Sequence, residues 1–110
     1  MKRYCLTLDL KNDPKLIAEY DHHHKQVWSE VLDSIKQSGI LSMEIYRLHT
    51  WLFMIMEAMD DFSFEKKFLI DSSNLKVQEW EELMGKYQER LPMAQPGEKW
   101  VVMDKIFELK

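Results

Sequence analysis

The sequence lacks the features that mark the commoner classes of functional site. It has a single cysteine, Cys5, in 110 residues, so no internal disulfide can form, and a small buried hydrophobe is the usual role of such a residue. With three glycines in the whole chain, there is no Gly-rich loop that could hold a phosphate. Nucleotide-dependent enzymes are therefore disfavoured.

The chain also lacks a basic face and a long apolar run. Its formal net charge is −4, and acidic and basic residues are interleaved, so nothing is available to displace the counterions of a phosphate backbone. At the N-terminus, MKRYCLTLDLKNDP alternates apolar and polar residues, unlike a signal peptide or a membrane span. We expect a cytoplasmic protein with no nucleic-acid and no membrane partner.

Apolar and aromatic residues, by contrast, are plentiful. Hydrophobic residues make up 45% of the chain, and there are four tryptophans, four tyrosines and five phenylalanines. This content predicts a packed globule and not a disordered chain. A length of 110 residues fits one domain, spanning residues 1–110.

Hydrophobic periodicity predicts the order of the strands and helices. Residues 3–10 alternate strictly, as in a half-buried strand. Asp13 can cap the start of the first helix and Gly39 can end it, while His49 and Thr50 form a gap short enough for a hairpin. The predicted elements are strands at 3–10, 41–48, 51–58 and 100–109, helices at 14–38 and around 77–87, and a short helix at 64–70.

This βαββαβ order is that of the ferredoxin-like α+β fold, in which one antiparallel sheet carries its helices on the same face. The other face of the sheet then needs cover. In a chain with strands as apolar as WLFMIMEA, a second copy commonly supplies it. We therefore predict a homodimer whose sheets face each other, a dimeric α+β barrel.

The three consecutive histidines are the most conspicuous candidates for chemistry. Neighbouring helical residues point about 100° apart, so His22, His23 and His24 cannot converge on one metal ion, and we predict no metal or cofactor. On a helical wheel His24 lies within the apolar arc, His23 at its edge and His22 outside it. A histidine so placed is more often structural, but Tyr20 and Trp28, one turn away on either side, favour a pocket and an acid–base role.

Four segments together resemble the L-rhamnose mutarotase family over nearly the whole chain. They are EYDHHHKQVWSEV, MEIYRL, the apolar strand that follows, and VQEWEELM. The most specific element is the spacing of Tyr20, His24, Trp28 and Glu30. The resemblance implies a ferredoxin-like dimer that interconverts the α and β anomers of L-rhamnose.

The same resemblance implies roles for individual residues. His24 corresponds to the family's proton donor and Tyr20 to a residue that contacts the sugar. Trp80 corresponds to the first of two adjacent tryptophans that line the pocket. We expect His24 to protonate the ring oxygen, Tyr20 or a water to handle the anomeric hydroxyl, and Trp28 or Trp80 to pack on the apolar face of the sugar.

Two positions depart from the family pattern where the sugar is held. Glu81 stands in place of the second tryptophan, and Met43 in place of a sugar-contacting tyrosine, although Tyr46 remains on the same strand. L-Fucose, another 6-deoxy sugar, is therefore an alternative substrate. Because the fold hosts many functions, a binding module and a haem- or oxygenase-type barrel with iron on His24 are the alternatives of a different class.

Overall fold

The fold is organised around β1 (Lys2–Leu10), the central strand of an antiparallel sheet in a computed structural model that describes residues 1–110. The alternation predicted from the sequence is confirmed. Leu6, Leu8 and Leu10 are buried on one face, and the intervening side chains lie on the other. One face of the sheet is therefore the floor of the core.

Four helices and four further strands complete the chain. The sheet order is β2-β3-β1-β4, with β5 also paired to β1, and every pairing is antiparallel. This is the predicted ferredoxin-like α+β arrangement. The elements after β1 are α1 (Pro14–His23), α2 (Ser29–Gln37), β2 (Ile40–Leu48), β3 (Trp51–Ala58), α3 (Phe64–Ser72), α4 (Leu75–Gly85), β4 (Gln88–Glu89) and β5 (Val101–Val102).

The prediction of one helix over residues 14–38 is wrong, because the chain breaks it into α1 and α2. After α1, the amide of Lys25 donates to the carbonyl of His22, an i to i−3 bond that tightens the last turn, and Trp28 then adopts φ −59° and ψ 139°. No glycine or proline marks the break. The Trp28 ring instead packs against Trp80, with centroids 5.2 Å apart, and such tertiary packing overrides local helix propensity.

The local start and stop signals are confirmed. The Asp13 carboxylate accepts hydrogen bonds from the amides of Lys15 and Leu16 at the start of α1. Gly39 follows α2 with φ 95°, a left-handed conformation that glycine adopts without strain. The hairpin between β2 and β3 turns at His49 and Thr50, with His49 at φ 56°.

The predicted long strand at 100–109 is also wrong. Only Val101 and Val102 form β5, opposite Thr7 and Leu6. A further short strand, β4, which the sequence did not predict, pairs with Asp9 and Leu10 on β1. Residues 103–110 form no regular element. β1 therefore pairs with two short strands where one long strand was expected.

The core between the sheet and the helices divides into two clusters. The Tyr20 cluster, beneath α1 and α4, mixes aliphatic and aromatic side chains; its buried members are Leu8, Leu10, Tyr20, Val31, Leu52, Trp80, Met84 and Tyr87. The Met56 cluster has neither tyrosine nor tryptophan among its buried members, which are Leu6, Ile40, Met54, Met56, Ala58 and Phe62.

The opposite face of the sheet carries an apolar patch that no helix of the core covers. Trp51 and Tyr46 are more than half exposed there, and Phe53 and Ile55 are partly buried. All the helices that contribute to the two core clusters lie on the other side. None of the four helices combines the length and the apolar character needed to cross a membrane.

Candidate active site

A cleft opens where the end of α1 lies over β2 and β3. Its volume is about 230 Å³, and both apolar and charged side chains line it. Pockets that bind small polar ligands combine apolar walls with a few polar groups in this way. The lining residues are Tyr20, Asp21, His24, Lys25, Ile45, Arg47 and Leu52.

His24 sits in this cleft because α1 ends there. Its ring Nδ1 lies 2.9 Å from the carbonyl oxygen of Tyr20, the group that its own amide would reach in a continuing helix, while that amide bonds to Asp21 instead. A carbonyl only accepts, so Nδ1 carries a proton. Nε2 makes no hydrogen bond within the chain and is left for a ligand.

Tyr20 packs beside His24, with ring centroids 4.5 Å apart, and is 3% exposed. Burial raises the pKa of its phenol to about 12; Gln88, whose amide nitrogen lies 3.4 Å from the hydroxyl, opposes the rise, and the charges of Glu81 and Asp21 add to it. Tyr20 therefore stays protonated near neutral pH. Its hydroxyl can donate a hydrogen bond but is a poor base.

Trp80 forms the aromatic backing of the site. It is buried in α4, as predicted, and its ring centroid lies 5.7 Å from that of His24 in an edge arrangement. Trp28 packs against Trp80, and neither tryptophan lines the cleft directly. The structure thus brings Tyr20, His24 and Trp80 together, and Trp28 joins them through its contact with Trp80.

An ion pair that the sequence analysis missed forms another wall of the cleft. Arg47 Nε and Nη2 donate to the two carboxylate oxygens of Asp21 at 2.8 and 2.7 Å, and Nη1 donates to the carbonyl of His49 at 2.9 Å. The hydrogen bond from Arg47 to Asp21 raises the pKa of the guanidinium further. The available signal was the alternation of MEIYRL, which puts Arg47 on the same face as Met43 and Ile45.

Three other predicted sugar contacts lie outside the cleft. Met43 is half-buried against the Met56 cluster. Tyr46 projects from the uncovered face of the sheet and donates to Glu44. Glu81 follows Trp80 on α4 and pairs with Lys99 at 3.3 Å; it reaches the site only through the effect of its charge on Tyr20.

The other two histidines are placed as the wheel predicts, although the helix ends before His24. His22 is exposed. His23 is half-buried, and its Nε2 lies 3.1 Å from the hydroxyl of Tyr87. No group of three or more histidine, cysteine, aspartate or glutamate side chains is placed to hold a metal ion.

Comparison with known proteins gives a family match over almost the entire chain. Residues 3–109 match the model of a family described as L-rhamnose mutarotase. An L-fucose mutarotase of Xanthomonas campestris is 40% identical over 111 residues, covering 99% of this chain and 89% of that protein. A UPF0734 protein of Dictyostelium discoideum is 41% identical over 112 residues, covering 98% and 90%.

Solved structures agree on the fold. An L-rhamnose mutarotase from Formosa agariphila superposes with a TM-score of 0.72 at 18% identity, covering all of both chains. Tetracenomycin F2 cyclase from Streptomyces glaucescens gives 0.59 at 20% identity, covering 100% of this chain and 98% of that one. At these identities the structural likeness establishes the ferredoxin-like fold alone.

Proposed function

Because this chain belongs to the L-rhamnose mutarotase family, we propose that its cleft binds a free 6-deoxy-hexose and that His24 transfers the proton. The protein is a mutarotase, an isomerase that interconverts the α and β anomers of a sugar. Family membership favours this activity over the binding-module and haem-type alternatives, which rest on the fold alone.

The hydrogen bonding of His24 is the observation that carries the proposed mechanism. Because Nδ1 is held by the Tyr20 carbonyl, proton exchange is confined to Nε2. The protonated ring donates from Nε2 to the ring oxygen of the sugar while the bond between that oxygen and the anomeric carbon breaks. The neutral ring that remains takes a proton back when the sugar closes, so His24 serves as acid in opening and as base in closing.

The anomeric hydroxyl must lose its proton in the same opening step, and its O–H electron pair becomes the second bond of the aldehyde. Tyr20 is ill suited to accept that proton as phenolate because its pKa is about 12. We propose that a water accepts it and that the Tyr20 hydroxyl helps to orient the sugar. Rotation of the free aldehyde before closure then yields the other anomer.

L-Rhamnose is the first candidate substrate, since it is the sugar named by the matching family. L-Fucose is the second, favoured by the 40% identity with the Xanthomonas campestris L-fucose mutarotase.

Saturation-transfer NMR on the anomeric protons tests the proposal. With protein present, saturating the α anomer should reduce the β signal of L-rhamnose or L-fucose much more than in buffer alone, and the two rates rank the sugars. D-Glucose, which carries a hydroxyl on the carbon where 6-deoxy sugars end in a methyl, is the comparison. If the protein accelerates anomeric exchange of neither L-rhamnose nor L-fucose above the rate in buffer, the proposed substrate class is contradicted.

We also propose that the protein is a homodimer formed through the uncovered face of the sheet. Trp51, Phe53 and Ile55 present an apolar surface there, and a solved structure with a TM-score of 0.54 is described as a dimeric ferredoxin-like protein. Light scattering should give about twice 13.3 kDa. Trp51→Lys should shift the protein to monomer, whereas Leu75→Lys, on the exposed surface of α4, should not.

A cytoplasmic location is the last part of the proposal. It is supported by the lone Cys5, which needs no oxidising compartment, and by an activity on a free sugar. Cell fractionation with an antibody against the native protein tests it, and recovery in a membrane or secreted fraction would contradict it.

A further inference from the structure

We propose that the Asp21–Arg47 ion pair is the specificity-determining element of the sugar site, and that it binds two adjacent ring hydroxyls of the substrate. This inference rests on the proposed function, because it concerns the same cleft. It assigns a substrate-binding role to two residues outside the aromatic and histidine set. The chemical group recognised is a vicinal diol.

The ion pair retains hydrogen-bonding capacity after all its bonds within the chain are counted. Arg47 has five N–H groups and uses three, two on Asp21 and one on the His49 carbonyl, which leaves one on each terminal nitrogen. The Asp21 carboxylate accepts one bond from Arg47 on each oxygen and has lone pairs to spare. Donors and acceptors therefore lie side by side, and a hydroxyl group can use either.

The position of the pair supports a ligand role over a purely structural one. Both residues line the cleft together with His24, and the side chain of Asp21 is 43% exposed and that of Arg47 31%. The Lys67–Asp71 pair on α3 makes a useful contrast: it is 24% and 17% exposed, and Ser34 donates to the other oxygen of its carboxylate. The hydrogen-bonding groups of that pair face the protein, whereas those of Asp21 and Arg47 border the cleft.

The pair is also tied to the proposed proton donor through the backbone. The carbonyl of Asp21 accepts the amide hydrogen bond of His24, so the residue that binds the hydroxyls belongs to the same turn as the residue that moves the proton. Because Asp21 and His24 are only three residues apart in this turn, a diol held by the ion pair would also be held at a set distance from His24. Such fixing would restrict the positions that the ring oxygen can take relative to the imidazole.

The paired variant Asp21→Asn/Arg47→Leu removes both charges at once and leaves no lone charge in the cleft. Two readouts are taken on it: sugar affinity, from tryptophan fluorescence, and the anomeric exchange rate as a function of sugar concentration. Losing hydrogen bonds from charged groups should raise Kd and KM by about 10- to 100-fold. The value of kcat should change by no more than about threefold. Arg47→Lys keeps the charge but loses the bidentate geometry, so its Kd and KM should lie between those of the wild type and those of the paired variant.

The matched control is Lys67→Met/Asp71→Asn, which removes the pair on α3 and should leave Kd and KM unchanged. The inference is overturned if the Asp21/Arg47 variant behaves like this control, losing thermal stability alone. It is equally overturned if kcat falls 100-fold at constant KM, because the pair would then position His24 and not bind hydroxyls. If the paired variant does not fold, Arg47→Lys decides on the same readouts.

The affinity measurement also separates this inference from the proposed function. A wild-type protein that binds 6-deoxy sugars without exchanging their anomers would refute the activity at this cleft, yet the change in Kd would still test the ion pair. A wild-type protein that binds no sugar would refute both.

Discussion

The two core clusters lie side by side beneath one sheet and differ in what their side chains can do. The Tyr20 cluster contains two phenols and an indole, and the imidazoles of His23 and His24 pack against its aromatic rings. The Met56 cluster contains only aliphatic, thioether and phenyl groups, which can be packed but cannot exchange a proton.

The difference also appears at the edges of the two clusters. Around the Met56 cluster, the rings of Tyr4, Phe62 and Phe64 pack on one another at centroid distances of 4.9 to 5.7 Å. At the Tyr20 cluster the helix above the sheet ends, and the cleft opens beside it. From the proposed role of His24 we call the Tyr20 half of the core the reactive half. We expect substitutions there to change the exchange rate and substitutions in the Met56 half to change stability.

The largest expected effect is the loss of anomeric exchange in the variant His24→Asn, in the reactive half. Asparagine keeps a polar group of similar size but cannot exchange protons near neutral pH, so the anomeric exchange rate should fall by roughly 10² or more while sugar affinity changes far less. Saturation-transfer NMR and a thermal melt on the same sample measure both quantities. A folded variant with the original rate would remove His24 from the mechanism.

Met56→Ala tests the other half. Met56 is 2% exposed, and truncating a buried methionine should lower the free energy of unfolding by about 2 to 5 kcal/mol while the exchange rate per folded molecule stays the same. Urea denaturation measures the first quantity. Met93→Ala, at a residue that is 63% exposed, is the control and should cost less than about 0.5 kcal/mol. A lower rate per folded molecule in Met56→Ala would mean that the two halves are coupled.

Tyr20 should give a smaller effect that depends on pH. Its pKa is about 12 in the folded protein and near 10 in the unfolded chain, so the folded state holds the proton more tightly. The resulting stability is fully present below pH 10 and is lost as the pH rises through 12. The difference in unfolding free energy between wild type and Tyr20→Phe should therefore shrink by about 1 kcal/mol at pH 11. A pH-independent difference would show that the phenol is not buried in the folded protein.

The smallest effect is expected for His22→Ala, next to the reactive half but outside it. The His22 ring is exposed, so stability should stay within about 0.5 kcal/mol and the exchange rate should be nearly unchanged. A tenfold loss of rate in a folded variant would show that the triplet acts through more than His24.

Much of the fold was predictable because its signals are local. The alternation of β1, the Asp13 cap, Gly39 and the two-residue hairpin each depend on neighbours along the chain. The break between α1 and α2 was not predictable from local signals, since it depends on the contact of Trp28 with Trp80, which lies 52 residues further along the chain. The two short strands β4 and β5 were not predicted for the same reason, because each pairs with β1 from the far end of the chain.

For the site, the sequence by itself determined the pattern that identifies the family and singled out His24 among three histidines. It also determined that an apolar arc would turn Tyr20 inward. The tertiary structure decided that α1 ends at His23, so that the His24 ring bonds to the Tyr20 carbonyl, and that Arg47 reaches across from β2 to Asp21. Periodicity fixes which way a side chain faces, whereas the partner that it meets there depends on how distant elements pack.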